Sequence, residues 1–339
     1  MAINMKDIAK AVGVSRTTVS RVLSGKASEF RISSETAERI RKEAQRSGYR
    51  PSELARSVRT GLTRTIGLIV SDISNPFFAN LAWAVEQAAE QTGFVVFAGS
   101  SGEDLARERA YVEKLRSRGA DGLLITPAGP DYEHLIRLRE EGYPFVLLDR
   151  IFEDFDCDWV SVDNLRGARA LCEALINRGA RRMAFLGGRL ETSTGRGRLE
   201  GYRAALRGRN LSLDPSLVFR GDFSVESGRA STSALLQIEK PPDAIFCANN
   251  KILFGCLDQL AAAPQELWKR IPIASFDETP FMKVLSRPLV VAAQPERKIG
   301  ERAVELLLQR IHSGPPGSPR MRGPYAHELL EVEQKLFGV

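Results

Sequence analysis

From about residue 63 onward the chain alternates short, unbroken apolar runs with helical stretches, and this alternation restricts the fold more than any other feature. TIGLIVS (65–71), FVVFAG (94–99), DGLLIT (121–126) and PFVLLD (144–149) are apolar throughout and rich in β-branched residues, as strands buried on both faces of a parallel sheet must be. Helices are expected between them, over 77–92 and 103–118. RMAFLGG (182–188), AIFCAN (244–249), IPIASF (271–276) and LVVAA (289–293) form a second series. Two series predict two doubly wound α/β lobes, with any ligand in the cleft beyond the carboxyl ends of the strands.

A length of 339 residues accommodates such a body and one further small domain. Hydrophobic residues at 43% and charged residues at 27% are ordinary for a globular chain, and no window approaches the roughly 18 consecutive apolar residues of a membrane helix. The opening MAINMKDIAK lacks the apolar core of a secretory signal, so a cytoplasmic location without membrane attachment is expected. Cys157, Cys172, Cys247 and Cys256 show no CxxC spacing and lie far in sequence from His134, His312 and His327. Neither a metal site nor a disulfide framework is expected, and nothing calls for a cofactor.

The net charge of +6 is unevenly placed. Residues 1–65 hold fourteen basic against six acidic residues, so this fifth of the chain carries +8 and the remainder −2. A basic head on a nearly neutral body suits a nucleic-acid-binding module. Within it, KDIAKAV places Ile8, Ala9 and Val12 on one face of a short helix that Gly13 breaks. Ser15 can cap a second helix with Val19, Val22 and Leu23 inward and Arg16, Thr17, Thr18, Ser20 and Arg21 elsewhere. Ser33 or Ser34 can cap a third, with Ala37, Ile40 and Ala44 inward. The first two read as a helix-turn-helix, whose second helix enters a major groove.

MKDIAKAVGVSRTTVSRVLSG followed by SGYRPSELARSVRTGLTRTIGLIVSDISNPFF resembles the LacI/GalR family of bacterial transcriptional regulators. The resemblance continues through VSVDNLRGAR, RLEGYRAAL, AIFCANN, ASFDE and QPERKIGERAVELLL, nearly the whole chain. It implies a body of the periplasmic-binding-protein type over 63–339, a helix-turn-helix domain over 1–50 and a hinge helix in 51–62. The lobes are expected over about 63–162 with 292–322, and 163–291 with 323–339. The implied partners are near-palindromic double-stranded operator DNA, a small carbohydrate effector and a second copy of the chain. A dimer is expected rather than a tetramer, because the chain after LLLQRI shows no heptad repeat.

Mapped onto this sequence, the resemblance makes Arg16 and Thr17 the base-reading pair, with Thr18, Ser20 and Arg21 beside them and Ser15 on a phosphate. An arginine can bond guanine O6 and N7 together, which makes Arg16 chemically apt. In the hinge the resemblance implicates Ala55, Val58 and Arg59, with Val58 as the minor-groove wedge where the family usually carries leucine. The stretch SGKASEFRIS before the third helix is longer than the common version and resembles that of the fructose and sucrose repressor branch.

In the cleft, Asp72, Asn75, Phe77, Asp149, Arg150, Asn249 and Asp277 follow predicted strands, and Arg196, Arg198 and Phe223 join them as effector-binding candidates. Carboxylate, amide and guanidinium groups around an aromatic ring suit a polyhydroxylated ligand, since each hydroxyl both donates and accepts. Arg150, Arg196, Arg198 and Lys251 together make the cleft basic, which tilts the expectation from a neutral sugar toward a sugar acid or sugar phosphate. No ordered Ser/His/Asp set, GxGxxG or GxxxxGK[ST] is present, so no catalytic residues and no enzymatic activity are expected. The alternative is a cytoplasmic sugar-binding module without DNA-dependent regulation, against which the basic head argues.

Overall fold

The computed structural model describes residues 3–49, 61–263, 268, 270–314 and 324–337, and the chain divides into two compact units, Met1–Thr63 and Arg64–Val339. The hinge residues Ala55, Val58 and Arg59 lie outside the described residues.

In the first unit, Asn4 caps α1 (Met5–Val12) through a reciprocal pair with Asp7, and Gly13 ends it in the left-handed region at φ 74°. Ser15 caps α2 (Arg16–Leu23) and Ser33 caps α3 (Ser34–Arg46). Ile8, Ala9, Val12, Val19, Val22, Ala37, Ile40 and Ala44 form the core where the three helices meet. Leu23, expected inward, packs only at its edge.

The second unit contains two six-stranded sheets. Five strands of the first are β1 (Thr65–Val70), β2 (Val95–Ser100), β3 (Gly122–Ile125), β4 (Phe145–Leu148) and β5 (Trp159–Val162). A late strand, β11 (His327–Leu330), pairs in parallel with β5, giving the order β11-β5-β4-β3-β1-β2. The second sheet is built from β6 (Met183–Leu186), β7 (Val218–Phe219), β8 (Ala244–Cys247), β9 (Ile273–Phe276), β10 (Leu289–Ala293) and β12 (Glu333–Phe337), in the order β12-β10-β9-β8-β6-β7. Among the described residues, only β12 runs antiparallel to its neighbour. The apolar runs are central strands with no exposed residue, which is why they read as continuous rather than alternating. FVVFAG differs: β2 is an edge strand and leaves Val95 and Phe97 more than half exposed.

Helices cover the sheets: α4 (Pro76–Gln91), α5 (Leu105–Ser117) and α6 (Glu133–Glu140) in the first lobe, and α7 (Asn164–Asn177), α8 (Ser193–Gly208), α9 (Val225–Leu235) and α10 (Asn250–Ala262) in the second. A last helix, α11 (Glu296–His312), returns to the first lobe and packs on α4. The chain therefore crosses between lobes around Asp163, at Gln294–Pro295 and at Glu331–Val332. This corrects the expected boundary: the stretch beginning at 323 does not pass wholly to the second lobe, because His327–Leu330 completes the first sheet before the last crossing.

Candidate functional site

On α2 every outward side chain can hydrogen-bond and none is acidic; no carboxylate occurs between Asp7 and Glu29. Val19 and Val22 point into the head, which turns Arg16, Thr17 and Arg21 to solvent, with Ser20 half-buried. Ser15 Oγ accepts the Thr18 amide at 3.1 Å and lies 2.8 Å from Thr18 Oγ1, so these two hydroxyls engage each other at the cap. The free face is Arg16, Thr17 and Arg21, the chemistry that reads base edges.

In the body, the loops at the carboxyl ends of both sheets enclose a cavity of about 350 Å³, at the lower end of ligand pockets, which run from roughly 300 to 1,000 Å³. Asn75 reaches it by capping α4, its Oδ1 accepting the Phe77 amide at 3.0 Å, and Asn249 by capping α10 through the Ile252 amide at 2.8 Å. Asp149 and Asp277 end β4 and β9 with φ of 63° and 69°, and Glu103, also on the cavity wall, has φ 61°. Left-handed backbone at three non-glycine residues around one cavity is local strain held by the surrounding fold. Phe223 forms part of the wall, and Gly188 makes room for it: a Cβ there would lie 2.2 Å from the ring.

Nine of the ten cleft residues suggested by sequence line this cavity: Asp72, Asn75, Phe77, Asp149, Arg150, Arg198, Phe223, Asn249 and Asp277. The tenth, Arg196, does not. On α8 it lies two residues from both Thr194 and Arg198, about 200° around the helix from each. Its guanidinium turns outward, 3.9 Å from Glu153 and donating to the Glu191 carbonyl at 3.0 Å. Ser74, Phe78, Glu103, Arg189, Thr194, Asp222, Ser224 and Gln294 line the cavity without having been singled out. Glu103, Arg189 and Gln294 follow the ends of β2, β6 and β10, so the strand-end rule reaches them as well.

The electrostatics revise the expectation of a basic cleft. Arg150 is buried and bonds Glu103 through both terminal nitrogens at 2.6 Å, and also donates to the Pro127 carbonyl at 3.0 Å. Burial opposes its charge, but the hydrogen bonds to Glu103 together with the negative charges of Glu103, Asp149 and Glu108 more than offset that and raise its pKa. Lys251 Nζ bonds Asp72 Oδ2 at 2.6 Å; burial raises the Asp72 pKa, and the hydrogen bonds from Lys251 and Ser74 more than reverse it. Arg198 is buried, donates to Asn164 Oδ1 at 2.9 Å and the Ala248 carbonyl at 2.7 Å, and lies 4.0 Å over the Phe276 ring. Burial pushes Asp149 up to about 6 against the pull of Arg150 and Arg198, and pushes Asp277 upward too. Among the described residues the wall holds four cations (Arg150, Arg189, Arg198, Lys251) against five carboxylates (Asp72, Glu103, Asp149, Asp222, Asp277).

Several bonds cross the cleft. Lys251 to Asp72 joins the lobes, as do Asn250 Nδ2 to Asn75 Oδ1 at 2.9 Å and the Ile151 amide to Ser193 Oγ at 3.0 Å. Any rotation of one lobe against the other must change them.

A helix-turn-helix head with an open basic face, on a chain whose two-lobed body encloses a polar cleft, defines a ligand-responsive DNA-binding regulator. The chain belongs to the LacI family. Residues 63–329 match "Periplasmic binding proteins and sugar binding domain of LacI family", and residues 4–52 match "Bacterial regulatory proteins, lacI family". Among similar proteins, the ribose operon repressor of Haemophilus influenzae is 32% identical over 307 residues, 91% of each chain. The Cra transcriptional dual regulator from Pseudomonas putida, solved with fructose 1-phosphate, is 26% identical with a TM-score of 0.72, covering 80% of this chain and 98% of that one. The lac repressor dimer bound to operator and an anti-inducer shares the fold, with a TM-score of 0.84 over 98% of both chains at 22% identity. The protein is a sequence-specific DNA-binding transcriptional regulator, and among the described residues no helix is long and apolar enough to cross a membrane.

Proposed function

We propose that this regulator is a cytoplasmic, homodimeric repressor whose effector is a neutral polyhydroxylated molecule, a sugar or nucleoside, rather than a sugar phosphate. The observation that carries this is the pairing inside the cavity. Arg150 and Lys251 are already bonded to Glu103 and Asp72, and Arg198 is committed to Asn164 and the Ala248 carbonyl. Of the four cations on the cavity wall, the Arg189 guanidinium alone takes no hydrogen-bond or ion-pair partner among the described residues, and its Nε is buried without one. A phosphate dianion would meet five carboxylates, whereas hydroxyls can accept from Arg189 and donate to Asp149, Asp222 and Asp277. The similar Pseudomonas putida regulator is described with a phosphorylated sugar and the similar regulator CelR as a complex with cellobiose, a neutral sugar, so both chemistries occur among similar chains.

The same reading gives Arg16 and Thr17 the role of base readers, places Ala55, Val58 and Arg59 in a minor-groove hinge, and assigns the nine cavity residues to the effector. For the dimer contact, α4 exposes 59% of Trp83 beside the edge strand β2, where Val95 and Phe97 are 61% and 52% exposed. The α10 face is different: Ile252, Leu253, Cys256 and Leu260 belong to the core of its own lobe. Regulation is a linkage: the effector shifts DNA affinity by its differential affinity for two lobe arrangements. Isothermal calorimetry against neutral sugars, nucleosides, sugar acids and sugar phosphates tests the effector class. Binding of a neutral compound with no uptake of its phosphorylated form supports the reading, and tight binding confined to phosphates contradicts it.

A further inference from the structure

Beyond α2 the head carries a feature that neither the fold nor its core requires. Residues 26–31 close a single turn, with the Phe30 amide donating to the Lys26 carbonyl at 3.2 Å and the Arg31 amide to the Ser28 carbonyl at 3.1 Å. Arg31 adopts φ 52° to end the turn, and the Ile32 amide returns to the Ala27 carbonyl at 2.9 Å. The turn is fastened at both ends: Ala27 and Ile32 pack on the helical core, and the Lys26 amide bonds the Arg21 carbonyl at 2.9 Å. Phe30 itself stays 41% exposed and takes no part in that core. An exposed phenylalanine on a well-anchored turn gains little from burial, so its position calls for another explanation.

That explanation is Arg21. Its guanidinium carbon lies 3.8 Å above the centre of the Phe30 ring, closer than any other cation over a ring among the described residues. Other arginines of the head are used up structurally: Arg39 donates to the Val12 carbonyl at 2.9 Å, and Arg46 bonds Glu43 through two nitrogens at 2.9 and 3.0 Å. The Arg21 guanidinium takes no hydrogen-bond or ion-pair partner among the described residues, so the ring holds its flat face and leaves the hydrogen-bonding edge open. A carboxylate could hold the side chain equally well, but it would occupy the edge and cancel the charge that DNA attracts. A phenyl ring does neither.

We propose that Phe30 is a positioning residue for DNA recognition: by stacking on Arg21 it pre-orders the guanidinium, edge outward, for bidentate contact with a base. The proposal rests on the reading of the α2 face as the base-reading surface. A freely rotating arginine gives up side-chain entropy when it docks, and the stack removes part of that cost before DNA arrives. The longer turn thereby becomes part of the reading head, with a ring that touches DNA only through Arg21.

The test is a binding selection on randomised operator DNA, followed by titration of the preferred and next-best sequences, using the full chain and its Phe30→Leu, Phe30→Tyr, Arg21→Ala and doubly substituted Phe30→Leu/Arg21→Ala forms. Phe30→Leu is expected to lose about 2- to 5-fold of discrimination, equivalent to about 0.5–1 kcal/mol, at the same base position that Arg21→Ala relaxes. Phe30→Tyr should retain it. The double variant should discriminate no worse than Arg21→Ala alone, and Phe30→Leu should leave the salt dependence unchanged because no charge is removed. Thermal melting of each variant shows whether the head remains folded, and Phe30→Tyr carries the test if Phe30→Leu does not. If Arg21→Ala relaxes one position but Phe30→Leu changes none, or weakens all sequences alike, the positioning role is refuted while the reading face stands. If neither Arg21→Ala nor an Arg16→Ala form run in the same selection changes base preference, the reading face itself is wrong.

Discussion

Replacing Arg198 by methionine removes a buried cation that acts on both Asp149 and Asp277 while roughly keeping side-chain volume. Both carboxyls are buried and already pushed upward in pKa, and Arg198 is among the charges that pull each of them back. The variant also frees Asn164 Oδ1 and the Ala248 carbonyl, which accept from Arg198 at 2.9 and 2.7 Å. Removing one partner of a buried charged network costs about 3–5 kcal/mol, and that is the expected loss of body stability at pH 7. The cost depends on pH in a defined way. With Arg198 present, Asp149 ionises near pH 6; without it, the carboxyl stays protonated to a higher pH. Between pH 7 and 6 the difference between variant and parent should therefore shrink by about 1.4 kcal/mol for each proton the variant retains and the parent has lost. Urea unfolding followed by tryptophan fluorescence reports on the body, because Trp83, Trp159 and Trp268 all lie there. A cost below 1 kcal/mol, or one identical at pH 6 and 7, would show that Arg198 does not compensate these carboxyls.

The raised pKa of Asp149 also predicts how the parent behaves. Folding takes up a proton wherever the unfolded carboxyl is ionised and the folded one is not, so this stabilisation is complete below the unfolded value, near 4, and is lost as pH rises through about 6. Glu296, raised to about 7 chiefly by burial, acts in the same direction. Urea unfolding at pH 5 and 7 should find the body more stable at pH 5, with a smaller difference in Asp149→Asn; equal differences in the two proteins would remove Asp149 from the account. Gly188→Ala should press on the Phe223 ring and weaken effector binding by about tenfold or more in calorimetry, whereas unchanged affinity would mean that the ring is no part of the binding wall. Arg16→Ala should relax one operator position, and the parent's log affinity should fall with log salt at a slope of roughly −5 to −9 if about six to ten basic groups of the head meet phosphates. Uniform weakening over all sequences would place Arg16 on phosphate, and a slope near zero would contradict the DNA-binding head.

The parts of the fold visible in the sequence are those whose burial is complete. Central strands such as β3, β4, β8 and β10 announce themselves because both faces are covered, so no polar residue interrupts them. The edge strands β11 and β12, HELL and EQKLF, open on polar residues and bury none of their residues fully, so they stay hidden until pairing shows them. That is also why the lobe boundary near 323 was misplaced. In the cleft, strand-end position located Asp72, Asn75, Asp149, Arg150, Asn249 and Asp277, since each follows a legible strand. Arg196 failed because the helix angle separates it from Thr194 and Arg198. The charge of the cleft was misjudged for a different reason: Arg150 is neutralised by Glu103, 47 residues earlier, and Lys251 by Asp72, 179 residues earlier. Composition counts cations, but only the fold shows which ones are already paired.

The central claim is that one chain couples the cleft to operator recognition. Its most direct test is the affinity of the full chain for its selected operator, measured by fluorescence anisotropy at fixed salt with and without a saturating cleft ligand identified by calorimetry. The account predicts a change of about 5- to 150-fold, corresponding to 1–3 kcal/mol of coupling, and the same factor in ligand affinity when operator is present. A ligand that fills the cleft yet leaves operator affinity unchanged would contradict it.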